Sequence, residues 1–114
     1  MKKIEAIIRL SKFQEVKDAL HAIDIDFFTY NDTIGVGNEK KRRTSFRGND
    51  VEFLSRRTLN IVVRDINLQK TVDCILKYAY TGEIGDGKIF VYDCLESYRI
   101  RTKESGDDSL YIKD

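Results

Sequence analysis

Apolar and polar positions alternate from the start of the chain. Ile4, Ala6 and Ile8 are interleaved with Glu5 and Arg9, a two-residue period that predicts a strand over 2–9. The period then changes. Phe13, Val16, Ala19, Leu20 and Ile23 recur at helical spacing and predict a helix over 12–23. Ser11 is placed to cap it, with Gln14 as the capping-box partner. Ile25, Phe27, Phe28, Tyr30 and Ile34 predict a second strand over 25–36, ending at Gly35-Val36-Gly37. Residues 38–57 break the pattern, being polar at first and without periodicity. They exceed the ~2–5 residues of a hairpin turn and predict a long loop with a role of its own.

Leu59, Ile61, Val62 and Val63 predict a third strand. Leu68, Val72, Ile75, Leu76 and Ala79 predict a second helix over about 66–79, capped by Asn67 or Asp65. A glycine loop at 81–87, a fourth strand at 88–92 and a short fifth strand at 98–101 follow. The tail from Lys103 reads as polar and mobile. The order β-α-β-loop-β-α-β predicts an α+β fold of the ferredoxin-like split βαβ kind, βαββαβ, as a single domain over 1–114. Its open sheet face is expected to be rich in Ile, Val and Phe, which predicts a homo-oligomer.

The chain has 114 residues, with 20 Lys and Arg against 19 Asp and Glu, a formal charge of +1. That balance argues against a generic polyanion binder. It conceals a basic arm: residues 38–57 hold seven basic and three acidic side chains, and Lys40-Lys41-Arg42-Arg43 are consecutive. No apolar run approaches the ~20 residues of a membrane span. Glu5 and Arg9 interrupt any signal-peptide core at the start. Two cysteines without a CxxC make no disulfide framework, so a cytoplasmic protein is expected. One histidine, His21, allows no His-rich metal site and reads as a surface or packing residue. No catalytic constellation is visible.

Gly82 to Lys88 matches GxxxxGK literally, yet Ile89 stands where Ser or Thr is needed, and a strand follows instead of a helix. The glycines and Lys88 remain either an anion cradle or a tight helix-to-strand turn. Arg99 and Arg101, two apart on the expected strand, share a face and suit a polyphosphate, or else form a solvated edge. The basic arm suits an acidic partner, a lipid surface or nucleic acid. Phe46 as its lone interleaved aromatic is too little for a stacking platform.

Three segments together resemble the PII signal-transduction family of nitrogen regulators: Met1 to Arg9, Thr81 to Val91, and Arg99-Ile100-Arg101-Thr102. The similarity runs over about residues 1–106. It implies a homotrimer with ATP and ADP competing for clefts between subunits, and three functional segments: a T-loop at about 37–55, a B-loop at 81–88 and a C-terminal segment at 98–114. Thr29, the backbone at Gly35 and Gly37 and around Val62, and the B-loop residues Thr81, Gly85, Asp86, Gly87 and Lys88 would line the nucleotide site. Arg99 and Arg101 would reach in from the neighbouring subunit. The partner-binding loop would be Lys40, Lys41, Arg42, Arg43, Thr44, Ser45, Phe46 and Arg47. The expected partner is a transporter such as an ammonium channel, which would bring the protein transiently to the membrane, or a nitrogen-metabolism enzyme.

The departures from the family lie mostly in the arm. It holds no tyrosine for uridylylation. Glu39 replaces the glutamine that helps bind Mg²⁺ and 2-oxoglutarate. It could still ligate Mg²⁺ through ATP, while its repulsion of a dicarboxylate at ~4 Å is on the order of 4 kcal/mol. Arg56 replaces the effector-binding lysine, and Asn38 replaces an arginine. The expectation is adenine-nucleotide binding with a weak or altered 2-oxoglutarate response, no enzymatic role, and any ATP turnover incidental. The alternative reading is a basic-loop nucleic-acid-binding module on the same fold.

Overall fold

The computed structural model describes residues 1–38 and 51–110. Strand β1 (Lys2–Arg9) alternates as the sequence predicts, with Ile4, Ala6 and Ile8 buried and the residues between them half-buried. A 3-10 turn (Leu10–Lys12) leads into α1 (Phe13–Ala22). The expected capping box is absent. Ser11 lies inside the 3-10 turn, Lys12 is the N-cap without a side-chain bond, and Gln14 donates instead to Asp18 one turn on. The 3-10 turn supplies the reason, since it carries the chain straight into the helix and puts Ser11 within the turn rather than at the boundary.

Strands β2 (Thr29–Asn38) and β3 (Val51–Val63) form one antiparallel ladder, from Thr29 opposite Asn60 to Asn38 opposite Val51. Two expectations change here. Residues 25–28 precede the strand rather than begin it, and the loop expected to run to residue 57 is strand from Val51 onward. β1 ends at Arg9 opposite Arg56, so beyond that point β2 and β3 continue as a two-stranded arm. Backbone pairing needs no core beneath it. Ile34 and Val36 on the arm are 73% and 68% exposed, and the apolar positions Val51 and Phe53, two apart, belong to the strand that the loop reading absorbed.

Helix α2 (Asp65–Tyr78) has Arg64 as its N-cap without a side-chain bond, and Asp65 and Asn67 sit in its first turn rather than capping it. Its buried line is Thr71, Cys74 and Ile75, while Leu76 is 57% exposed. Thr71 tolerates burial because its hydroxyl donates to the Asn67 carbonyl at 2.7 Å. Strand β4 (Lys88–Asp93) completes an antiparallel sheet of order β2-β3-β1-β4. This is the ferredoxin-like α+β arrangement. Ile4, Ala6, Ile8, Leu59, Ile61 and Val63 pack under Phe13, Val16, Leu20 and Ile75. Each large aliphatic there contributes about 1.5–3 kcal/mol by burial.

The opposite sheet face is more polar than expected. Lys3, Glu5, Thr58 and Asn60 share it with Ile7, Val62, Phe90 and Tyr92. The Tyr92 hydroxyl donates to Glu5 at 3.0 Å, and Lys3 lies 5.9 Å from the Tyr92 ring centroid. The expected fifth strand is also absent: Tyr98 bridges Ser105, the intervening chain is a turn, and Ile100 is 94% exposed. Backbone bonds between Arg99 and Glu104 and between Lys103 and Arg99 close the segment into a turn instead. The tail expected to be mobile forms a 3-10 helix at Gly106–Leu110.

Candidate functional site

The sheet register sorts the candidate residues into two groups at opposite ends. Thr29 pairs with Asn60, whereas Gly35 pairs with Leu54. Six residues of extended chain separate the two positions by about 20 Å. β4 makes the same division, because the glycine loop precedes Lys88 and the segment carrying Arg99 and Arg101 follows Asp93.

At the Thr29 end lies a cleft of about 620 Å³, lined by Phe27, Phe28, Thr29, Val62, Arg99 and Arg101 among others. Sequence reasoning missed its two phenylalanines, which precede β2 in irregular chain. Arg99 and Arg101 both reach this cleft, although not as same-face strand neighbours. Arg99 is folded into its own turn: its amide donates to the Glu104 carbonyl at 2.8 Å, and Nη1 meets the Glu104 carboxylate at 3.1 Å. Nη2 points to the Asp108 and Ser109 carbonyls, each at 3.4 Å. Arg101 is exposed. The turn is closed by the Lys103 amide donating to the Arg99 carbonyl at 2.7 Å, with Lys103 at a φ of 62°.

At the other end, the glycine loop packs against the ends of β1 and β3. Gly85 and Gly87 have φ of 101° and 102°. A Cβ on Gly87 would meet the Ile7 carbonyl oxygen at 1.8 Å, so the backbone of β1 occupies the space of a side chain. That contact explains one glycine as structure, independent of any ligand.

Asp86 is half-buried. Its carboxylate accepts the Thr81 amide at 2.8 Å, the Gly82 amide at 2.9 Å, the Thr81 hydroxyl, and Arg9 Nε at 3.0 Å. Burial alone would push the Asp86 carboxyl up, but these bonds outweigh it and hold it well below the usual carboxylate range. The Asp86 side chain thus staples the loop, and the Thr81 hydroxyl is part of that staple. Lys88 is exposed.

Arg56, expected at an effector site, lies against the same loop and donates through Nε and Nη2 to the Gly85 carbonyl at 3.2 and 2.9 Å. Arg9, which no motif marks, donates through Nη2 to the Ile84 carbonyl at 3.1 Å. Arg9 and Arg56 thus both donate to the glycine loop, and Arg9 alone of the two is shown at the Asp86 carboxylate.

Gly37 lies on the arm opposite Glu52. Glu39, Lys40, Lys41, Arg42, Arg43, Thr44, Ser45, Phe46 and Arg47 lie outside the described residues. Among the described residues no cluster of three or more His, Cys, Asp or Glu is arranged to hold a metal ion. Nor is any described helix long and apolar enough to cross a membrane. His21 is exposed on α1 with its Nδ1 against the Asp26 carboxylate, and Cys74 and Cys94 are both free.

The sequence model of the family described as Nitrogen regulatory protein P-II matches residues 1–104. Among similar proteins, the Nitrogen regulatory protein P-II of Rhodospirillum rubrum is 43% identical over 112 residues, covering 96% of this chain and 100% of the relative. The Nitrogen regulatory protein P-II 1 of Methanothermobacter thermautotrophicus is 46% identical, covering 96% of this chain and 97% of the relative. The P-II 1 protein of Escherichia coli is 41% identical over the same share of this chain. With this fold, and with the glycine loop and the arginine turn at the two ends of its sheet, the chain belongs to the nitrogen regulatory protein P-II family.

Proposed function

We propose that this chain is a nitrogen-regulation signalling protein that senses ATP and ADP in clefts between the subunits of a homotrimer. The observation that carries this reading is the division of the site. The glycine loop with Lys88 and the cleft with Thr29, Arg99 and Arg101 stand at opposite ends of one sheet, and each is a partial site. A neighbouring copy would supply the missing half. Exposed Phe27, Tyr98 and Ile100, which line the cleft, favour such a neighbour, Ile100 being 94% exposed.

The donor set fits a nucleotide. The aromatic cleft suits an adenosine, and the loop amides, Lys88 and the arginines suit phosphates. Arg99 would exchange its Glu104 contact for phosphate, and Arg101 needs no such exchange. Glu39 would ligate Mg²⁺ through ATP. The protein acts by binding, without chemistry of its own, in the cytoplasm. The segment from Lys40 to Arg47 would engage a transporter such as an ammonium channel, or a nitrogen-metabolism enzyme, and the 2-oxoglutarate response would be weak or altered. The contacts of Arg56 with Gly85 support that last point, because they engage the charge that would meet the dicarboxylate.

Calorimetric titration of ATP and ADP, with light scattering for the oligomeric state, tests the reading. The trimer is expected to bind both nucleotides, and Arg101→Ala to lose affinity with the trimer intact. A wild-type protein that binds neither nucleotide overturns it. Micromolar binding of 2-oxoglutarate to the Mg-ATP form would contradict the altered effector response.

A further inference from the structure

Arg9 and Arg56 stand directly opposite each other in the β1–β3 ladder, on the face away from the helices. Like charges in that relation normally destabilise a sheet. Here three consecutive loop residues each present an oxygen to the pair. Arg9 takes the Ile84 carbonyl at 3.1 Å and the Asp86 carboxylate at 3.0 Å. Arg56 takes the Gly85 carbonyl through two nitrogens at 3.2 and 2.9 Å, and also donates Nη1 to the Ser55 carbonyl at 2.9 Å.

Peptide planarity converts these contacts into a statement about donors. In a trans peptide the C=O of one residue and the N–H of the next point in opposite directions. Holding the Ile84 carbonyl toward Arg9 turns the Gly85 amide away from it. Holding the Gly85 carbonyl toward Arg56 turns the Asp86 amide away likewise. Two successive N–H groups are then aimed from the guanidinium side toward the other side of the loop. The positive φ of Gly85 lies between them. Successive amides in such a conformation form an anion-binding concavity.

We propose that Arg9 and Arg56 are positioning residues that set the Gly85 and Asp86 amides to receive a phosphate group. Neither arginine has to touch the anion to do so. The proposal rests on the nucleotide reading for its ligand, while the clamp itself is a property of the free protein.

Hydrogen exchange of the ligand-free protein tests the clamp. Amides of Thr81 and Gly82, which the loop holds on the Asp86 carboxylate, are expected to exchange about tenfold faster in Arg56→Gln, the effect of losing one charge-assisted hydrogen bond, with α1 and α2 unchanged. Arg56→Lys, which keeps one donor, is expected to recover part of that protection. ATP titration then reads the consequence: affinity falls about tenfold in Arg56→Gln and recovers partly in Arg56→Lys, while adenosine affinity stays at the wild-type value. A loss confined to instability would lower adenosine binding as well. Wild-type exchange rates in Arg56→Gln, or equal losses for adenosine and ATP, overturn the proposal. If the wild type binds no ATP, the proposed function fails, and the exchange comparison still decides the clamp.

Discussion

Replacing Asp86 by Asn removes a charge while keeping the shape of the side chain. The carboxylate accepts two amides, a hydroxyl and a guanidinium N–H. Asparagine offers one acceptor oxygen, and its NH₂ would face donors. At least two charge-assisted bonds are therefore lost or inverted. At ~1.5–3 kcal/mol for a hydrogen bond to a charged group, and with the site partly open to solvent, the cost is about 2–3 kcal/mol. In a domain of this length that corresponds to a drop in Tm of roughly 10 °C at neutral pH. Protein concentration has to be held fixed, since association shifts Tm.

The pH dependence follows from the sign of the shift. The folded Asp86 carboxyl sits below its unfolded value of ~3.9. Its stabilising contribution is fully present above about pH 4 and is lost as pH falls through the depressed folded value. Thermal melts of both proteins from pH 7 to 3 are expected to differ by a constant gap down to about pH 4, and the gap should then narrow. A variant as stable as the wild type at pH 7, or a gap that stays constant into acid, refutes the role of Asp86 as the loop's staple.

Substitutions at two further positions probe the backbone. Gly87→Ala places a methyl 1.8 Å from the Ile7 carbonyl oxygen at a φ of 102°. The loop and β1 must separate, and a loss of about 3 kcal/mol or more is expected in chemical denaturation. Lys103 holds a φ of 62° in the Arg99 turn. Lys103→Gly is expected to be neutral or slightly stabilising, and Lys103→Val to cost about 1–2 kcal/mol by thermal melting, because a β-branched residue suits that conformation least.

Much of this protein is determined by local pattern. Ile4, Ala6 and Ile8 specify β1 and its buried face, and Phe13, Val16 and Leu20 specify the core side of α1. The spacing of the glycines before Ile89-Phe90-Val91 marks a loop feeding a strand. These features follow from residues adjacent along one element, where period and propensity act directly. What the tertiary structure decided involves residues far apart in the chain. The arm of β2 and β3 beyond Arg9 is held by backbone pairing, and its short apolar spacings, Ile34 with Val36 and Val51 with Phe53, do not tell where the loop ends. Ser11 and Gln14 spell a capping box, yet the 3-10 turn before α1 places Ser11 inside it. The alternation at Tyr98 to Arg101 spells a strand, yet Tyr98 makes only an isolated bridge to Ser105, and Arg99 closes a turn with Glu104 instead. Asp86 reads as one polar residue in a glycine loop, and only the meeting of that loop with the end of β1 makes it the partner of Arg9. Arg9 and Arg56, 47 positions apart in the chain, become one device because antiparallel register sets them side by side. Local sequence specifies conformation, whereas electrostatic partnership depends on distance in space, which only the assembled sheet sets.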